Sequence, residues 1–148
     1  MSKTLSYKGK LPMGEQERIR LKTNNGKTGY KITKFQIIST APGTGNFEYV
    51  AQIFKTDQDG SITSTIDFSN GNLIAAVYNS DSNTWGGNLP DSAIVFDNEI
   101  VNQDIYINIT DASGGTTPCN YFIELEAMTL SDIEATQITL KSLRTISE

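Results

Sequence analysis

Two runs decide the fold: DIYINIT at 104–110 and NYFIELEAM at 120–128. In the first, Ile105, Ile107 and Ile109 alternate with Tyr106, Asn108 and Thr110. In the second, Tyr121, Ile123 and Leu125 alternate with Phe122, Glu124 and Glu126. A period of two puts alternate side chains on opposite faces, so each run reads as a strand with one apolar face. The intervening DASGGTTPC, rich in Gly, Thr and Pro, breaks both helix and strand. The pair is expected to form a long-looped β-hairpin in the middle of a sheet.

The same alternation extends outward. Residues 3–12 alternate weakly through Leu5 and Tyr7, as an N-terminal arm or edge strand in which Lys3, Lys8 and Lys10 discourage stray pairing. Pro12 and Gly14 break it. Over 15–22, Ile19 and Leu21 are expected to face in and Arg18, Arg20 and Lys22 out. Asn24-Asn25-Gly26 is a tight-turn signal, since both residue types tolerate positive φ. In the strand from Tyr30 to Ile38 the apolar phase slips between Ile32 and Phe35, which predicts a β-bulge near Thr33 and Lys34. Further strands are expected at 47–55, at 62–68 through Ile62, Ile66 and Phe68, at 73–78 (LIAAVY, apolar on both faces) and from Ala93 to Phe96. A polar loop spans 79–92. Ser131 with Glu134 reads as a capping box for a single helical turn, and Ile138, Leu140 and Ile146 as a last strand.

This amounts to eight to ten strands with no helix of three turns. The expected class is all-β, a single-domain antiparallel β-sandwich over 15–148, jelly-roll-like, preceded by the arm at 1–14. A chain of 148 residues favours one domain. It buries roughly 70% of the surface its unfolded form exposes, enough to fold without staples.

Composition narrows the chemistry. There is no histidine, which removes Ser-His-Asp and Cys-His nucleophiles and imidazole zinc sites. The one cysteine, Cys119, cannot form an internal disulfide and is expected to be a buried filler. No apolar run reaches signal-peptide or membrane-span length, so the expectation is a chain made in a cytosol with no membrane partner. Asn108-Ile109-Thr110 spells a glycosylation sequon without a secretory context.

Net charge is -5 but unevenly placed: residues 1–34 hold nine of the twelve Lys and Arg and only two of the seventeen acids. Such a chain can present a basic and an acidic face, suited to head-to-tail packing or to an acidic partner. The basic segment lacks both a helix to enter a groove and aromatics interleaved with its cations, so no direct nucleic-acid binding is expected.

The remaining candidates are weaker. Asp57-Gln58-Asp59-Gly60 resembles part of a calcium loop but lacks the third acid and a distal glutamate; a turn explains it equally well. Asn79, Asp81 and Asn83 share that spacing, with Thr84 where glycine is needed. Glu124 and Glu126 lie on one strand face, roughly 7 Å apart. Such a pair could serve glycoside hydrolysis, though a solvated strand face is the plainer reading. Trp85, the one tryptophan, stands in a Gly-rich loop, where an exposed ring could stack on a sugar or anchor a subunit contact.

Three stretches, LPMGEQERIRLKTNNGKTGYKITKFQII (11–38), FDNEIVNQDIYINITDASGG (96–115) and NYFIELEAMTLSDIEATQITLKSLR (120–144), resemble small virion structural proteins of marine tailed bacteriophages, particularly those infecting cyanobacteria. The resemblance lies in overall wording rather than a compact motif. It implies a multicopy or homo-oligomeric particle component, localised in the virion, with no enzymatic role, no cofactor and no catalytic residues to carry over. Its partners would be other virion proteins, the major capsid protein or tail proteins. The expected function is a capsid decoration or cement protein, with Arg18, Arg20, Lys22 and Trp85 as candidate interface residues. The alternatives are a tail or fibre-attachment subunit, and a carbohydrate-binding module using the 79–92 loop.

Overall fold

The computed structural model describes residues 3–82, 87–88, 92–95 and 99–147. Its strands are β1 (Lys3–Leu11), β2 (Glu15–Ile19), β3 (Thr28–Ser39), β4 (Asn46–Phe54), β5 (Leu73–Ser82), β6 (Gly87–Asn88), β7 (Ser92–Val95), β8 (Ile105–Asp111) and β9 (Cys119–Thr129). One helix, α1 (Asp132–Ser147), comes after them. The strands form two antiparallel sheets. The smaller has the order β1-β9-β3; the larger has the order β2-β8-β4-β5-β6, with β7 also pairing β5. The pairs β1–β9, β2–β8 and β4–β5 are nested, as in a long hairpin folded over on itself, which is a jelly-roll-like path.

The decisive runs are both central strands, but they are not a hairpin. β8 lies between β2 and β4, and β9 between β1 and β3, in opposite sheets. Their apolar faces meet instead of sharing a plane: Ile105, Ile107, Ile109, Ile123 and Leu125 are all fully buried. Each contributes about 1.5–3 kcal/mol by leaving water. The 112–118 connection arches between the sheets and is held at its start by Asp111, whose Oδ1 accepts from the amides of Glu48 (3.0 Å) and Ser113 (2.9 Å). Cys119, where β9 begins, is buried in the core as expected.

Several local readings hold. β1 is an edge strand, paired with β9 through nine residues. Asn24, Asn25 and Gly26 all have positive φ, and Thr28 N closes the turn onto Thr23 O at 2.9 Å. The β3–β9 register shifts between Ile32 and Lys34, at the predicted bulge. LIAAVY is a strand covered on both faces, with Ile74, Ala75, Ala76 and Val77 buried.

Other readings, besides the hairpin, are corrected. No strand forms over 62–68. β4 already has β5 and β8 on its two edges, so the 55–72 segment cannot pair beside the strand it follows. It crosses the outer face of the larger sheet, where the Gln52 amide donates to the carbonyls of Thr63 (3.3 Å) and Thr65 (3.2 Å). The polar loop over 79–92 is in part strand: β5 continues to Ser82, and β6 pairs with it.

The last strand and the single helical turn are both replaced by the 16-residue α1. The capping box is present, with Glu134 N donating to Ser131 Oγ and Ser131 N to Glu134 Oε1, each at 3.1 Å. Beyond the cap, Ala135, Gln137, Leu140, Lys141, Leu143 and Arg144 are good helix formers, and they outweigh the strand-like Ile138–Leu140 alternation. Ala135 is buried and Ile138 half-buried, while Ile133 and Leu140 are 72% and 53% exposed. Asn102 pins the helix to the sandwich: its Nδ2 donates to Thr139 Oγ1 (2.9 Å), Gly26 O (3.1 Å) and Ala135 O (3.4 Å). Among the described residues no helix is long and apolar enough to cross a membrane.

Candidate docking surface

The two sheets present different outer faces. On the smaller sheet, register fixes which side chains are neighbours. Across β1, β9 and β3 the outward rows read Thr4–Glu126–Lys31, Ser6–Glu124–Lys34, Lys8–Phe122–Gln36 and Lys10–Asn120–Ile38. Directly opposed residues on one face are in contact range. One end therefore alternates Lys31 and Lys34 with Glu126 and Glu124; the other carries Lys8 and Lys10 beside Phe122 and Ile38. Ile38 is 63% exposed and Phe122 half-buried, and the cations of their rows, Lys8 and Lys10, both stand on β1. No ion pair joins these four lysines to another described residue.

The larger sheet is covered where the smaller is open. The 55–72 segment lies over Gln52 and Phe54, and a cavity of about 180 Å³ remains beneath it. This side is acidic. Glu48 accepts from Tyr78 OH at 3.0 Å on the outer face, and Asp57, Asp59 and Asp67 belong to the covering segment. Arg18, from the basic N-terminal segment, also stands on this side, and Glu124 and Glu126 stand on the other, so the uneven charge along the chain does not divide cleanly between the two sheets.

The residues singled out from the sequence lie in different places. Arg18 is exposed on the outer face of β2 but is not a free cation. Its Nε and Nη2 donate to Asp104 Oδ2 at 2.8 and 2.7 Å, and Asp104 Oδ1 accepts from Leu21 N at 2.9 Å. The hydrogen bond to Asp104, then the charges of Tyr106 and Asp104, raise the Arg18 pKa. Arg20 and Lys22 are exposed on the β2–β3 connection. The main-chain carbonyl of Lys22 accepts from Tyr30 OH at 2.6 Å, so its backbone is fixed while its ammonium is not paired with a described residue. Trp85 lies outside the described residues, as does Asn83.

The weaker candidates resolve into local structure. Asp57 Oδ1 accepts from Gln16 Nε2 (2.7 Å) and Asp59 N (2.8 Å), a closed turn tied to β2. Those two hydrogen bonds hold its carboxyl below the usual range. Glu124 Oε1 accepts from Thr33 Oγ1 at 3.0 Å, so the bulge orients this carboxylate on the open sheet face. Glu124 and Glu126 stand between lysines there. Asn108 is 1% exposed, which closes the sequon to modification in the folded chain. Among the described residues no three Cys, Asp or Glu side chains gather as metal ligands.

The open face is not legible along the chain because its parts lie far apart in sequence. Lys8, Lys34, Ile38 and Phe122 come from three strands, and only pairing brings them together. The available signal was Ile38, the apolar residue out of phase with Phe35 and Ile37.

No protein-family model, curated protein or solved structure matches this chain.

Proposed function

We propose that this protein is a non-enzymatic virion structural protein that decorates an assembled phage head and stabilises it. The observation that carries the reading is the open outer face of the smaller sheet, where Lys8 and Lys10 on β1 share the outward rows of Phe122 on β9 and Ile38 on β3. A face whose one end joins exposed apolar side chains to two unpaired lysines suits an acidic, partly apolar protein surface. Its natural occupant is an acidic patch repeated on the shell, and the acidic larger sheet then faces solvent, which keeps a particle from sticking to others. The resemblance of 11–38, 96–115 and 120–144 to small phage virion proteins supports the same class. Arg18, paired with Asp104 on the outer face of the larger sheet, stands away from this docking face.

The test is to mix the purified protein with undecorated heads of the parent phage and image them by cryo-electron microscopy. Regular density at symmetry-related sites, with β1, β9 and β3 against the shell, is the expected result. Lys8→Glu with Lys10→Glu should abolish it at physiological salt. Bare shells, with the protein confined to the tail vertex of intact particles, would replace this reading with that of a tail subunit.

A further inference from the structure

β1 stands at the end of the smaller sheet and pairs with β9 alone among the described strands. Its other edge is a row of main-chain N–H and C=O groups, a template for a further strand. Natural proteins blunt such edges with shortness, proline, a bulge or charge. β1 runs nine residues, KTLSYKGKL, with no proline and no break in its register with β9. The other edges are shorter or already engaged. β2 has five residues and β7 four, and β3 is bridged at Tyr30 by Val101, with N···O distances of 2.7 and 2.9 Å.

Charge is the remaining protection, and the lysines of β1 are spaced to admit β1 of a second copy. Antiparallel pairing about a two-fold axis at Tyr7 engages the whole strand. Lys10 then stands opposite Thr4 of the second copy, Lys8 opposite Ser6 and Lys3 opposite Leu11. No lysine opposes a lysine. Moving the axis to Lys8 would set that residue against itself, which like charges disfavour. Behind Thr4 and Ser6, on β9 of the same copy, stand Glu126 and Glu124. Lys10 and Lys8 therefore look across a small hydroxyl residue toward a carboxylate of the other copy.

The inner face fits the same partner. Leu5 and Tyr7 pack against the core yet stay only half-buried at this edge. In the same register Tyr7 meets Tyr7, an aromatic cross-strand pair, and Leu5 meets Gly9. We infer that this chain forms a two-fold dimer by antiparallel pairing of β1 with β1 of a second copy, joining two three-stranded sheets into one. Residues of one face pair with residues of that face, so both open outer faces lie on one side. The inference does not depend on docking to a shell.

The test is sedimentation equilibrium on the full chain from micromolar to millimolar concentration. A rise from the chain mass of 16.2 kDa to twice that value, and no further, is expected. Ser6→Lys, an exposed change, sets a lysine opposite Lys8 of the second copy at both symmetric positions and should weaken the dimer about tenfold or more. Tyr7→Cys fixes the register. Cys119 is fully buried, so the new thiol is the reachable one. Directly opposed Cβ atoms lie about 4.5–5.5 Å apart, so mild oxidation should link two copies. Lys3→Cys should not link them, because its two copies lie about 27 Å apart along the strands. A mass of one chain throughout, a series growing beyond two copies, an undiminished Ser6→Lys dimer, or linking through Lys3→Cys as readily as through Tyr7→Cys would overturn the inference.

Discussion

The phenol of Tyr121, on the smaller sheet, donates to the carboxylate of Glu17, on the larger one, and so ties the two layers at the rim of the core. The contact depends on a third residue. Gly9 is the β1 partner of Tyr121, and a Cβ at Gly9 would lie 2.7 Å from the tyrosine oxygen and 2.8 Å from its ring. The absent side chain is what lets the ring lie flat across β1 and reach Glu17. A second tyrosine also spans the layers: Tyr49 OH, on β4, lies 3.1 Å from Ser39 Oγ, on β3.

Gly9→Ala should therefore destabilise the fold by about 1–3 kcal/mol, the usual cost of overpacking. Urea unfolding should show a lower midpoint at an unchanged slope. In a Tyr121→Leu background most of that cost should vanish, because the clashing atoms are gone. An equal cost in both backgrounds would mean that β1 resists the alanine for another reason.

Burial, then the hydrogen bond to Glu17 and its charge, raise the Tyr121 pKa above its ordinary 10.0. The unfolded phenol ionises near 10, while the folded one keeps its proton at higher pH. Between those values the unfolded state binds fewer protons, so stability falls as pH rises. The contribution is complete below about pH 10 and is lost above it. Unfolding midpoints measured from about pH 8 to about pH 11 should drop more steeply for the wild type than for Tyr121→Phe.

Lys55 is 4% exposed, and its ammonium pairs with Glu99 at 3.1 Å; Glu99 also meets Lys141 of α1 at 3.4 Å. Removing one partner leaves a buried charge uncompensated. Glu99→Ala should cost about 3–5 kcal/mol. Lys55→Met combined with Glu99→Leu should recover most of that loss, and thermal melts of the two variants would show the difference.

Helix α1 is pinned by Asn102, which supplies three hydrogen-bond links to the helix and to the turn at Gly26. Asn102→Ala should raise amide exchange across 132–141 well before it affects β8 and β9. Ser131→Ala should cost the helix about 1 kcal/mol more through its lost cap. Exchange that rises equally in helix and strands would show the helix to be part of one cooperative unit.

Which residues are strands, and which of their faces are apolar, is written locally along the chain. Period-two alternation in 104–110 and 120–128, the Asn24-Asn25-Gly26 turn and the phase slip at Ile32 are local signals, set by backbone geometry within a few residues. The capping box at Ser131 is equally local, although the Ile138–Leu140 alternation obscured the length of the helix beyond it. Strand pairing was decided at the tertiary level. An apolar face is satisfied equally by a hairpin partner beside it or by a facing sheet above it, and the 112–118 loop can reach either. That choice separated β8 from β9, left 62–68 without a place beside β4, and brought Lys8, Lys10, Phe122 and Ile38 onto one open face. It also placed Asp104 against Arg18, 86 residues away, and turned an expected free cation into half of an ion pair. Such contacts have long sequence separation, and no local pattern encodes them.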